Sequence, residues 1–240
     1  MTRLILALAL VAVMTIVSYQ PGVAQPAPVR RGDKTIEFSR ERTIETSHAF
    51  GECLVRRRKP NINDLLNTPP GSVLERQIFL KISKGAGQCL LDADKSWGEV
   101  TLRYQPIALR GPVAEALFER DFKDFRPVAK RQAVATFDMV EAVQQRGSAL
   151  TELEASGLVM LEFAECVLQS RPAESLALLR TKVATEAESG ALWALAPSFS
   201  PCLSSGKTST INRTILRGLI AEAAYRSVAR APGALQQAQN

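Results

Sequence analysis

A mainly α-helical fold, built by tandem duplication of a disulfide-closed helical module, is what this sequence predicts, and three observations carry the prediction. The stretches Phe50-Gly-Glu-Cys53 and Phe163-Ala-Glu-Cys166 share one pattern. Each leads to a second cysteine, Cys89 or Cys202, at the same spacing of 36 residues. After segments of unequal length the two copies converge again: Ile107-Ala-Leu-Arg110-Gly-Pro-Val-Ala-Glu115-Ala-Leu-Phe118 matches Thr214-Ile-Leu-Arg217-Gly-Leu-Ile-Ala-Glu222-Ala-Ala-Tyr225. Features kept in both copies must serve the fold or a shared surface, because a single active site needs no second copy.

The chain opens on Met1-Thr2-Arg3, an apolar run from Leu4 to Val17 and the small residues of Pro21-Gly22-Val23-Ala24. This reads as a secretory signal peptide over residues 1–24, since the apolar run is shorter than the roughly 20 residues that span a bilayer. No cysteine follows it for lipid attachment, and nothing later is apolar enough to cross a membrane. The expected location is therefore periplasmic or secreted. In an oxidising compartment an even number of cysteines reads as disulfides rather than metal ligands. A module copied whole carries its bond with it, so Cys53–Cys89 and Cys166–Cys202 are the predicted pairs. Each closes a loop that stabilises by about 4 kcal/mol in the chain-entropy account.

Residues 25–42, rich in proline and charge at their start, read as a flexible lead-in. Its Arg31-Gly32-Asp33 is an adhesion tripeptide elsewhere, but three residues recur too often by chance to carry weight. The first module spans 43–125. In its first helix Ile44, Ala49, Phe50, Cys53 and Leu54 fall at helical spacing, and the matching Leu158 to Leu168 is more apolar, which predicts a more deeply buried helix. Both helices run into a proline, Pro60 or Pro172, that blocks continuation and can open the next helix. That second helix closes on Leu65-Leu66-Asn67-Thr68 or Leu178-Leu179-Arg180-Thr181. Ser72-Val-Leu-Glu75 and Thr185-Glu-Ala-Glu188 then fit a capping box and start a third helix. Ile78, Phe79 and Ile82, or Leu192, Trp193 and Leu195, are its expected apolar positions, and it stops near Gly85 or Pro197.

Past the second cysteine, Val100, Leu102 and Tyr104 alternate as a short strand would. The final helix presents Val113, Ala116 and Leu117, or Ile220 and Ala223, to the core. A connecting helix is expected over 126–151, from the periodic Val134, Phe137, Met139, Val140 and Val143. The second module occupies 152–230, and 231–240 is a polar, disordered tail.

Composition narrows the chemistry. The formal net charge is +6 over 240 residues, one positive charge of which leaves with the signal peptide, so the chain is mildly basic. With aromatics at 6%, neither a sugar-stacking platform nor a nucleic-acid surface is supported. His48 lies five residues before Cys53, the outline of a thiol nucleophile, but it is the single histidine and its counterpart position has none. One histidine also excludes the common His-rich metal sites. Ser205-Gly206-Lys207-Thr208 resembles the end of a phosphate loop, yet Pro201 stands where that pattern needs glycine. No cofactor and no metal are implied.

The repeated polar residues are Glu52 and Glu165, Arg110 and Arg217, Glu115 and Glu222, with Arg58 and Arg171 besides. Paired carboxylates can do acid and base work, and an Arg-Gly at a helix start can grip an anion. The favoured reading is structural: Glu52 or Glu115 accepts hydrogen bonds from Arg110 within its own copy, and the counterparts do likewise, locking the last helix to the first. Arg56, Arg57, Arg58 and Lys59 form a candidate anion-binding cluster that the second copy lacks. Together these features predict an exported non-catalytic interaction or structural protein of the cell envelope, its partner an envelope protein or an anionic polymer. The alternative is an exported hydrolase that uses the duplicated carboxylates in a cleft between modules.

Overall fold

The computed structural model describes residues 29–31, 34–36, 39–57, 59–93, 106–122, 147, 149–203 and 211–229. The stretches over which a signal peptide, a strand at Val100, Leu102 and Tyr104, and a disordered tail are expected lie outside them, as do Val134 to Val143 and Ser205 to Thr208. The protein is mainly helical. Before the helices, β1 (Val29–Arg31) and β2 (Lys34–Ile36) pair antiparallel, with Val29 opposite Ile36.

The N-terminal half contains α1 (Arg40–Arg57), α2 (Lys59–Leu66), α3 (Val73–Ser83), α4 (Gly87–Ala93) and α5 (Pro106–Phe122). The C-terminal half contains α6 (Glu152–Ser170), α7 (Pro172–Leu179), α8 (Glu186–Leu195), the single turn α9 (Phe199–Cys202) and α10 (Arg213–Ala229). Pro172 is the first residue of α7, where its missing N–H costs nothing. Cys53 pairs with Cys89 and Cys166 with Cys202, with Cα atoms 5.5 and 5.6 Å apart. Each bond ties the first long helix of its half to the short helix that follows the third, α4 or α9.

The starts of α3 and α8 are half a capping box each. Ser72 accepts from the Glu75 amide at 3.0 Å and Thr185 from the Glu188 amide at 3.3 Å. The glutamates do not return the bond to the cap residue. They reach one residue further back, to the amides of Gly71 at 2.7 Å and Ala184 at 2.9 Å. Those amides turn toward the helix because both residues are left-handed, with φ of 81° and 60°. A full capping box forms elsewhere, at Thr151 and Glu154, where α6 begins.

Two cores result. Leu54, Ile62, Leu65, Val113 and Leu117 centre one, and Leu161, Val167, Leu178, Leu195 and Ile220 the other. Ala221 of α10 belongs to the first, and Phe118 of α5 packs on the second, so the halves share side chains across the α5–α10 contact. There the backbones nearly touch: a Cβ on Gly111 would lie 2.5 Å from the Gly218 Cα, and the converse is 2.7 Å. The glycine of each Arg-Gly pair is the condition for this crossing.

Three expectations need correcting. The Arg-Gly pairs are not at helix starts, because α5 begins at Pro106 and α10 at Arg213, which leaves Pro112 inside a helix against Gly51 of α1. Trp193 is not a core residue. Glu188 and Leu195 define the inner face of α8 two turns apart, and Trp193 sits on the other side, 78% exposed. Finally, α6 is not markedly more buried than α1, and its disulfide is the more accessible one, with Cys166 and Cys202 half-buried and Cys53 and Cys89 buried.

Candidate functional site

Arg110 and Arg217 each sit at the centre of a buried polar node, 2% and 1% exposed. Arg110 makes a two-pronged contact with Glu222, with Nε donating at 2.9 Å, and its Nη1 donates to Glu75 at 2.9 Å and to the Leu65 carbonyl at 2.8 Å. Arg217 does the same with Glu115, with Nε donating at 2.9 Å and Nη2 at 2.5 Å. Its Nη1 donates to Glu188 at 3.3 Å and to the Thr181 hydroxyl at 3.0 Å. The expected pairing within a copy is therefore corrected. Each arginine takes its main carboxylate from the other half, because the glycine crossing sets Arg110 beside Glu222 and Arg217 beside Glu115. The second carboxylate, Glu75 or Glu188, comes from its own half.

Charge fixes the ionisation inside the nodes. Burial alone would lift the Glu222 carboxyl, but Arg110 and Arg226 outweigh it and hold it below the usual carboxylate range. Burial likewise disfavours a charged Arg110, and Glu222 and Glu75 reverse the balance. Each arginine thus bridges a carboxylate of the other half to one of its own. Removing one partner of such a group leaves a buried charge uncompensated.

The surroundings of the two nodes differ. Four residues beyond Glu222 comes Arg226, 3% exposed, whose Nε donates to Glu222 at 3.0 Å. Four residues beyond Glu115 comes Glu119, which is exposed. The Glu115 node accordingly opens into a cleft of about 1010 Å³ between α1, α5 and the α7–α8 turn. Glu52 and Glu119 line it, with Phe118 and Phe122 as an aromatic wall whose ring centroids are 6.0 Å apart. His48 reaches the same cleft from α1 and is 8% exposed, with Nδ1 3.6 Å from Glu115. Its burial keeps the imidazole below its ordinary pKa despite Glu115, and Arg217 adds to the effect. Burial, then Glu119 and Glu115, push the Glu52 carboxyl up, with Arg56 opposing.

The remaining sequence candidates fall elsewhere. Glu165 is buried on α6, where Gln169 Nε2 donates to it at 3.2 Å, and it does not line the cleft with Glu52. Cys53 is disulfide-bonded, so His48 has no thiol to activate. Of the basic cluster, Arg56 is exposed and Arg57 pairs with Asp92 at 3.0 Å; Arg58 and the Lys59 side chain lie outside the described residues. Arg171 pairs with Glu174 on the surface at 3.1 Å. Sequence reasoning missed Glu75 and Glu188 as arginine partners. The signal was there, since both were read as caps at equivalent places. It also missed the change from Arg226 to Glu119 in otherwise matching helices. Among the described residues no helix is long and apolar enough to cross a membrane, and no three donors converge as a metal site would require. Comparison of the chain with known protein families, characterised proteins and solved structures finds no match.

Proposed function

We propose that this chain is an exported, non-catalytic binding protein of the cell envelope, a tandem duplication of one helical module in which one copy has kept its node sealed and the other has opened it to a ligand. Support for the duplication comes from equal disulfide spans, left-handed residues at matching turns and reciprocal arginine pairs. The reciprocity suits a two-fold relation between copies; simple translation would not return the second pair. Export is supported by the leader-like start and the paired cysteines. The single observation that carries the function is the 1010 Å³ cleft at Glu115, at the place where Arg226 closes the other node.

Binding is favoured over hydrolysis. The raised Glu52 carboxyl is what an acid catalyst needs, but Glu165, the duplicated partner that reading requires, lies away from the cleft. His48 offers a clean test, because the chain has one histidine and its ring resonances report on the cleft alone. Titrating isotope-labelled protein with a concentrated envelope extract should shift those resonances in a saturable manner. Unmoved resonances in every extract fraction would overturn the reading.

A further inference from the structure

We infer that the face by which the two halves meet is an interface for a second copy of this chain, used whenever the contact within the chain is released. The inference goes beyond the binding reading and needs no ligand in the cleft. Its basis is that the two contacting faces carry the same residue types in the same order. Arg110, Gly111, Ala114, Glu115 and Phe118 of α5 correspond to Arg217, Gly218, Ala221, Glu222 and Tyr225 of α10. Steps of four place them in two neighbouring rows on one side of each helix.

The contacts are equivalent as well. Nε of either arginine donates to the opposite glutamate at 2.9 Å, and the two glycines face each other. Tyr225 packs on the N-terminal core, and Phe118 packs on the C-terminal core. A surface that pairs with its own likeness in this reciprocal way is isologous, the kind of contact that joins identical subunits. Here it is made within one chain.

No bond is lost when a face takes a second copy in place of its own chain's partner. The second carboxylate of each node travels with its arginine, since Glu75 belongs to the half of Arg110 and Glu188 to the half of Arg217. Against a second α10, Arg217 meets that copy's Glu222 in place of Glu115, and Gly218 meets Gly218. Arg226 still donates to Glu222 of its own helix. Against a second α5, Arg110 meets that copy's Glu115 and Gly111 meets Gly111. Two chains paired at both faces thus close into a dimer that repeats the Arg–Glu contacts of the single chain. Covalent linkage through residues 123–148 presents each face with its own chain's partner at a concentration on the order of millimolar. Closure within the chain therefore wins at micromolar concentration, and a second copy takes over when the internal pair is broken.

The full mature chain tests this through the double reversal Arg110→Glu with Glu115→Arg, read by size-exclusion chromatography with light scattering at micromolar concentration. Within one chain the reversed α5 sets like charges against Glu222 and Arg217, and the faces separate. Between two copies α10 pairs with α10 through its native residues and α5 with α5 through the reversed ones. The variant should therefore show twice the mass of the wild type, with helical circular dichroism retained. Adding Gly111→Val and Gly218→Val, which block both faces, should return the mass to that of one chain. A folded reversal variant of single-chain mass, or a dimer that survives the two valines, would overturn the inference. Should the reversal unfold the protein, because Glu75 lies beside position 110, the wild type decides. Refolded from urea with its disulfides intact, at concentrations rising to millimolar, it should give a growing dimer fraction, and single chains at every concentration would refute the second-copy interface.

Discussion

The two halves of this molecule build the same buried node and finish it differently. In the C-terminal half Glu222 is enclosed by Arg110 and Arg226, and nothing is left for solvent. In the N-terminal half Glu115 meets Arg217 but keeps 14% of its side chain exposed, at the edge of a cleft that His48, Glu52 and Glu119 share. The lesson is that lock and opening can be separated. The Arg–Glu pair and the glycine crossing hold the halves together in both places, while one residue a turn away decides whether the node is closed.

That comparison can be broken most forcibly at the arginines. Arg110→Ala leaves Glu222 and Glu75 buried and should cost about 3–5 kcal/mol, by urea denaturation, enough to threaten folding. Arg217→Ala should cost less, about 2–3 kcal/mol, because water reaches Glu115 through the cleft. Equal losses would show that the cleft does not hydrate the node. Gly111→Ala or Gly218→Ala pushes a methyl group into the opposing backbone and should cost about 1–3 kcal/mol. The effect should be the same from either side, and a marked asymmetry would contradict a shared crossing.

A gentler comparison uses the matching turns. Gly71 suits its left-handed backbone, whereas Ala184 adopts one that L-residues disfavour. Ala184→Gly should therefore stabilise the protein by about 1 kcal/mol, as a rise in the urea midpoint without a change in slope. Gly71→Ala should do the reverse and add a clash with Leu153, whose Cγ would lie 2.7 Å from the new Cβ.

The smallest effect at neutral pH belongs to His48. Its folded pKa lies below the ordinary 6.5, so the unfolded chain takes a proton first as pH falls through 6.5. The folded state loses stability from there down to the folded pKa. Glu222 has the opposite chemistry but a similar consequence at lower pH: its depressed pKa stabilises above 4.5, and that contribution is lost as pH falls further. A melting profile should thus decline first near neutrality and again under acid conditions. His48→Leu, which copies Leu161, should remove the first decline and leave the second. A profile unchanged by that substitution would show that His48 titrates as freely in the folded protein as in the unfolded chain.

Much of the fold was legible beforehand. The Leu65-Leu66 and Leu178-Leu179 pairs marked the ends of α2 and α7, because a proline fixes each start and the polar residues after the leucines have no core to enter. The cysteine pairing followed from equal spacing, since a bond within a short segment depends on geometry that the segment carries with it. Trp193 was misplaced because adjacent apolar residues on a short helix point different ways, and only contact with the rest of the protein selects the face.

What the sequence determined by itself is therefore local: helix starts and stops, the two disulfides, and the set of arginines and glutamates that recur. Partners at long range were decided by the tertiary structure. Arg110 and Glu222 are 112 residues apart, and no spacing rule joins them. They meet because Gly111 and Gly218 allow two backbones to come nearly into contact, a close packing that exists only once both halves have folded. The cleft arises at the same step. Glu119 is an ordinary exposed helix residue until the other half places Arg217 beside Glu115, and only then does the missing counterpart of Arg226 become an opening.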